Sequence, residues 1–175
     1  MALDPTAEID ATARRRWFDP LVATGDDAGP TILRLTLALV IFPHGAQKLL
    51  GWFGGFGFSG TMEYFTATVG LPAVIALLVI LIEFFGPIAL AAGLFTRAAA
   101  LGIGAVMVGA VTIQHLQHGF FMNWTGQQAG EGFEYHILVL GIVLVLLLKG
   151  SGALSLDRML GGDRAGGVDR PALVD

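Results

Sequence analysis

The chain contains no cysteine. That absence excludes a thiol–disulfide relay, a Cys-ligated iron–sulfur cluster and a thiolate nucleophile within this polypeptide. It does not identify a compartment, because a thiol-free chain suits either redox environment. Charge is also scarce: Asp, Glu, Lys and Arg make up 14% of 175 residues, against roughly 25% in an average soluble chain. The net charge of −4 argues against nucleic acid as a partner, since that needs a basic surface. The stretches 51–70 and 119–134 carry no Lys or Arg at all.

Apolar residues take the place of charge. They make up 54% of the chain, with a mean hydropathy of +0.71. Four long apolar runs occupy 31–50, 71–94, 98–118 and 135–148. A bilayer core about 30 Å thick needs about 20 helical residues. The first three runs reach that length, and the fourth is short, needing Gly132 or Phe133 to reach across. The expected fold is all-α: a left-handed bundle of four transmembrane helices in contact with the lipid bilayer. The length leaves no room for a second globular domain. The expected division is a cytoplasmic N-terminal tail over 1–28, a four-helix membrane domain over 29–157 and a cytoplasmic C-terminal tail over 158–175.

Charge placement sets the expected orientation. Arg14, Arg15, Arg16, Arg97, Lys149, Arg158, Arg164 and Arg170 all fall on the side of the two tails, which the positive-inside rule places in the cytoplasm. The first 28 residues lack the basic-then-apolar pattern of a signal peptide. They read as a cytosolic arm in which Trp17 to Val22 is either flexible or a short interfacial segment. Gly51 to Gly60 interleaves glycines with Trp52, Phe53, Phe56 and Phe58. Such a loop is an aromatic belt at the headgroup layer or a lid over a pocket.

Polar residues inside the runs carry the functional question, because they are expensive in lipid. Arg34, His44 and Lys48 fall within an arc of about 80° on the first helix. Glu83 lies near the middle of the second run, and Pro87 removes the helical donor to its carbonyl, as Pro43 does for Leu39. Arg34 is the expected partner of Glu83, either as a structural pair or as part of a proton-handling site.

All four histidines, His44, His115, His118 and His136, map to the outer ends of runs. Gln114 shares a helical face with His118, while Glu134 and His136 point in nearly opposite directions. This convergence fits hydrogen-bonding histidines at a wet bundle mouth, or a quinone headgroup site with His and Gln as donors. Haem or another metal is disfavoured, because no run carries two histidines a bundle-width apart. His115-x-x-His118 also lacks the acid that accompanies a metal motif. The candidate catalytic residues are Glu83 and His115. The candidate cofactor-binding residues are Arg34, His44, Lys48, Gln114, His118, Glu134 and His136, and no metal site is expected.

An ordered set of residues resembles the DoxX family of small four-span bacterial membrane proteins. It begins with Arg34, then His44-Gly45 with Lys48-Leu49 and Gly51, then Gly70-Leu71-Pro72 and Glu83. Gly93-Leu94-Phe95-Thr96-Arg97-Ala98-Ala99 follows, then His115, Gly119-Phe120-Phe121, and Gly132 with Glu134 and Tyr135. The resemblance runs from Thr31 to Asp157. It implies an inner-membrane subunit of a quinone-linked oxidoreductase system, tied to sulfur or thiosulfate oxidation or to oxidative stress. It also implies a redox partner subunit or a homo-oligomer. Relatives that handle thiols use cysteines, which this chain lacks. A non-catalytic membrane anchor for redox partners and a small-solute transporter remain the alternatives, so whether the chain is itself an enzyme stays open.

Overall fold

The computed structural model of the protein describes residues 18–161. Arg14, Arg15, Arg16, Trp17, Arg164 and Arg170 lie outside the described residues. The described residues are helical and loop, with no strand among them. The elements are α1 (Asp19–Val22), α2 (Ala28–Leu50), α3 (Gly57–Glu63), α4 (Ala73–Ala92), α5 (Thr96–Ala110), α6 (Glu134–Lys149) and α7 (Leu156–Gly161). Wide π turns extend α3 over Tyr64–Thr68 and α5 over Val111–His115, and a 3-10 turn carries the latter to His118.

Local chemistry fixes the helix ends. The Asp27 side chain accepts from the Gly29 amide at 2.8 Å, capping α2, with Pro30 in the first turn. Gly51 and Gly93 end α2 and α4 in the left-handed region, at φ 75° and 65°. Pro43 and Pro87 sit inside α2 and α4 without ending them.

The four long helices pack in a ring, α2 on α4, α4 on α5, α5 on α6 and α6 on α2. Leu37, Ile41, Leu90, Ile103, Val139 and Leu146 form its dry centre. The outside is apolar too: Leu39 is 76% exposed and Leu138 70%, a surface suited to lipid rather than water. Three helices are long and apolar enough to cross a membrane, Ala28–Leu50, Ala73–Ala92 and Thr96–His118. Helix α6, at 16 residues, is the short one.

The expected Arg34–Glu83 contact does not form. The Arg34 guanidinium donates to the carbonyls of Leu90 at 2.8 Å and Ala91 at 2.7 Å, in the last turn of α4. It also donates to Ser151 at 3.0 Å and Leu154 at 2.7 Å, in the turn after α6. Its five N–H groups suit a nest of carbonyls at a helix end, where intrahelical donors run out. Glu83 lies seven residues before Leu90, roughly 10 Å back along α4, beyond that nest.

The same end of the bundle uses this device twice more. Asp157 accepts from the amides of Phe95 at 2.6 Å and Thr96 at 2.9 Å, capping α5. Arg97 donates to Leu147 at 2.9 Å, to Leu148 and to Ala23, closing the end of α6 onto the N-terminal segment. That segment is therefore packed structure rather than a flexible arm from Phe18 onward: Val22 is 1% exposed, and Thr24 Oγ1 accepts from the Gly152 amide. Helix α7 likewise continues to Gly161, past the expected boundary at 157.

Arg34→Met should strand the buried carbonyls of Leu90 and Ser151 and the part-buried ones of Ala91 and Leu154, at about 1–3 kcal/mol for each group that stays unsatisfied. We expect reversible unfolding in mild detergent to report a loss of at least about 3 kcal/mol. Arg34→Lys should recover only part of it, since an ammonium has three donors. Wild-type stability in Arg34→Met would refute the capping role.

Candidate functional site

Helix α2 stops at Leu50 while α4 runs on to Ala73 and α5 with its turns to His118. This difference in reach leaves a cavity of about 540 Å³ between the outer halves of α4 and α5 and the ends of α2 and α6. Phe65 and Val69, at the end of the segment that includes α3, close one side. The segment begins differently: Phe53 is 67% and Phe56 79% exposed, as an interfacial belt would be. No residue of 51–60 lines the cavity, so the loop expected as a belt or a lid is not its cover; the residues that close it come later in the segment.

Most of the wall is apolar, from Ile75, Leu78, Val79, Ile82, Val106 and Ile113. Polar groups gather on the remainder. Lys48 Nζ meets Glu83 Oε2 at 2.5 Å, with the Glu83 side chain only 7% exposed. Lys48 thus takes the role expected of Arg34 at this carboxylate. His44, Gln114, His115, Glu131, Tyr135 and His136 complete the polar part.

The histidines are arranged for more than packing. His115 Nδ1 lies 2.9 Å from the Glu131 carbonyl. A carbonyl only accepts, so Nδ1 carries the proton, and in the neutral ring Nε2 is left with its lone pair. The His115 and His136 rings lie with centroids 4.3 Å apart. His136 is 6% exposed. Its Nδ1 and the Tyr135 hydroxyl are buried without a hydrogen-bond partner. Buried polar groups are almost always satisfied in native proteins, so two orphans on one cavity wall mark a place for a ligand or water.

Of the residues singled out in the sequence, six line this cavity: His44, Lys48, Glu83, Gln114, His115 and His136. Three do not. Arg34 is at the other end of the bundle, holding carbonyls. Glu134 Oε1 accepts from the Met122 amide at 3.2 Å and from Trp124 Nε1 at 2.9 Å, bracing the aromatic loop. His118 packs against Gly130, where an added Cβ would meet its ring. The shared face expected for Gln114 and His118 is lost because the π turn over Val111–His115 inserts an extra residue, shifting later side chains by about 100°. Of Glu134 and His136, only His136 lines the cavity.

Tyr135 and the Glu131 carbonyl were missed. Tyr135 carries a visible signal, a polar tip beside a histidine at the start of an apolar run. A backbone carbonyl carries none. Among the described residues no three His, Asp or Glu side chains are grouped to hold a metal ion.

The DoxX family model matches residues 29–116. CatD of Bacillus subtilis (strain 168), named provisionally as an oxidoreductase, is 29% identical over 131 residues, 75% of this chain and 86% of its own. The inner membrane protein YqjF of Escherichia coli (strain K12) is 28% identical over 135 residues, 77% of this chain and 94% of its own. The inner membrane protein YphA of the same organism is 29% identical over 132 residues, 73% and 86% of the two chains. No solved structure gives a significant match.

The Lys48–Glu83 pair makes a double-mutant cycle decisive. Lys48→Met leaves a buried carboxylate alone and Glu83→Gln leaves the ammonium alone, while the double change removes both faults. Detergent unfolding should give a coupling of about 1–3 kcal/mol for this pair. Arg34→Lys with Glu83→Gln should instead add within about 0.5 kcal/mol. Additivity at Lys48 and Glu83 would rule the contact out.

Proposed function

This chain belongs to the DoxX family, and from that membership we propose that it is an inner-membrane subunit of a quinone-linked oxidoreductase system whose cavity takes the quinone ring. Support comes from CatD, whose name provisionally makes it an oxidoreductase, and from YqjF and YphA, both named inner membrane proteins. The observation that carries the reading is the pair of unpartnered buried groups, Tyr135 Oη and His136 Nδ1, among the polar residues of a mostly apolar cavity. A site that is mostly apolar with a few convergent polar groups fits a flat ring with carbonyl oxygens.

When bound, a quinone would supply two-electron, two-proton redox chemistry. The Tyr135 hydroxyl would donate to a ring oxygen, and His136 on the same wall would help to hold the ring. His115 Nε2, held in one tautomer by the Glu131 carbonyl, takes up or gives a proton at that nitrogen. The Glu83 carboxylate, held by Lys48 at the cavity wall, is a second group that can accept a proton there. Electrons come from a partner subunit, since the chain has no cysteine to ligate a cluster.

In this reading α6 forms a fourth crossing, lengthened by Phe133, and both tails are cytoplasmic. Arg97, Lys149 and Arg158 gather at one end of the bundle, as the positive-inside rule requires of the cytoplasmic side. Cysteines introduced at the exposed positions Ser59 and Leu154 test this. An impermeant reagent applied outside intact cells should label Ser59→Cys only. Labelling of Leu154→Cys would reverse the orientation.

Binding of decylubiquinone to the purified protein, followed calorimetrically in mild detergent, tests the ligand. The wild type should bind saturably, and Tyr135→Phe and His115→Ala should each weaken binding roughly tenfold, about 1.4 kcal/mol. No saturable binding in the wild type would remove the quinone reading.

A further inference from the structure

Helices α4 and α5 pack closely toward the Arg34 end of the bundle and part toward the other. A Cβ placed on Gly86 would lie 3.4 Å from Ile103, and one on Gly102 3.2 Å from Ile82. A Cβ placed on Gly109, two turns further along α5, meets nothing within 4 Å. Yet Gly109 borders the cavity, together with Ile75 and Leu78 of α4 and Ile113 of the following turn. Those three large apolar side chains are 45%, 45% and 48% exposed. They are at once cavity wall and outer surface, so the cavity is continuous with the outside between the two helices.

The surface it meets is apolar. Val74 is 68% exposed on α4, and Val108 51% on α5. We propose that this gap is a lateral portal onto the hydrocarbon layer, and that the ligand is a membrane-dissolved amphiphile with its headgroup at His115, Tyr135 and His136. Its chain leaves between Leu78 and Gly109 into lipid. The identity of the headgroup rests on the quinone reading above; the portal does not.

Three physical points support a lipid-borne ligand. A hydrophilic solute crossing a wall of Ile, Leu and Gly would lose hydrogen bonds to water and gain none. An alkyl or isoprenoid chain passing through it goes from apolar wall to lipid, which is equally apolar. A cavity of about 540 Å³ encloses a headgroup-sized ligand but not a long tail as well. The tail must leave, and this is the apolar way out.

The test uses the full chain in phospholipid vesicles, with decylubiquinone and its tail-less parent quinone as probes. Gly109→Trp puts bulk into the gap at a position where an added Cβ meets nothing within 4 Å, and Val108→Trp adds the same bulk one residue away on the lipid face. With Gly109→Trp, decylubiquinone binding should weaken roughly tenfold or more, while the tail-less quinone should change by less than about twofold. Val108→Trp should affect neither. Equal binding of decylubiquinone to wild type and Gly109→Trp would overturn the portal and leave the quinone reading standing.

If the wild type binds neither quinone, the quinone reading falls and the portal is decided separately. Phospholipid bearing a diazirine near the end of one acyl chain should photolabel Met107, which lines the cavity and is 6% exposed, in the wild type and not in Gly109→Trp. Absence of label at Met107 in the wild type would overturn the portal.

Discussion

Helices α2 and α4 meet at Gly45 with no side chain between them. A Cβ at this position would fall inside the backbone of Glu83 and Phe84. This close approach places Gly45 level with Glu83, and it sets the axial register of the pair. Lys48 then stands about one turn beyond Gly45, within reach of the Glu83 carboxylate at 2.5 Å. Arg34 stands 11 residues before Gly45, roughly 16 Å along the helix, level with the last turn of α4. The two polar networks are therefore consequences of one backbone contact. The carbonyl that Gly45 approaches is also the one that Pro87 deprives of its helical donor.

The two ends of the bundle treat polar groups in opposite ways. Around Arg34, Arg97 and Asp157, cationic groups meet helix carbonyls, and carboxylate oxygens meet helix amides. Each charge is spread over backbone groups that needed a partner anyway. This end serves as a rigid base, and Val22 and the turn after α6 pack into it. At the other end α2 stops short, two π turns disturb the helix faces, and Tyr135 and His136 keep unpaired atoms. π turns concentrate at functional sites because they turn a helix face aside without ending the helix. A stable base and an unsatisfied far end are what a binding site on a small bundle requires.

Much of this was legible in the sequence, and the failures share a cause. Apolar run lengths place the helices because the bilayer fixes how many residues a crossing takes. Helical spacing correctly groups Arg34 with Lys48 on one face of α2. It gives an angle around the axis, though, and not a height against the neighbouring helix. Which of the two cations meets Glu83 depends on the Gly45 contact, and that contact is a property of the packed pair. His118 fails for a related reason, since a π turn breaks the fixed angle per residue. His44, His115 and His136 survive because their placement needs only the right end of each helix.

The loop carboxylates extend this argument. Glu134 looks like a site residue because it lies two positions from His136, yet its Oε1 accepts from both the Met122 amide and the Trp124 indole. Glu131 does the same for the Asn123 amide, while its carbonyl fixes the His115 ring. Glu131 borders the exposed rim of the cavity while Glu134 lies outside it, and both brace the loop between them. Glu83 remains as the carboxylate within the cavity, neutralised by Lys48 and surrounded by aliphatic side chains. Lys48 lies in the last turn of α2, just before the Gly51 stop, so the shortness of this helix both opens the cavity and sets the charge at its wall.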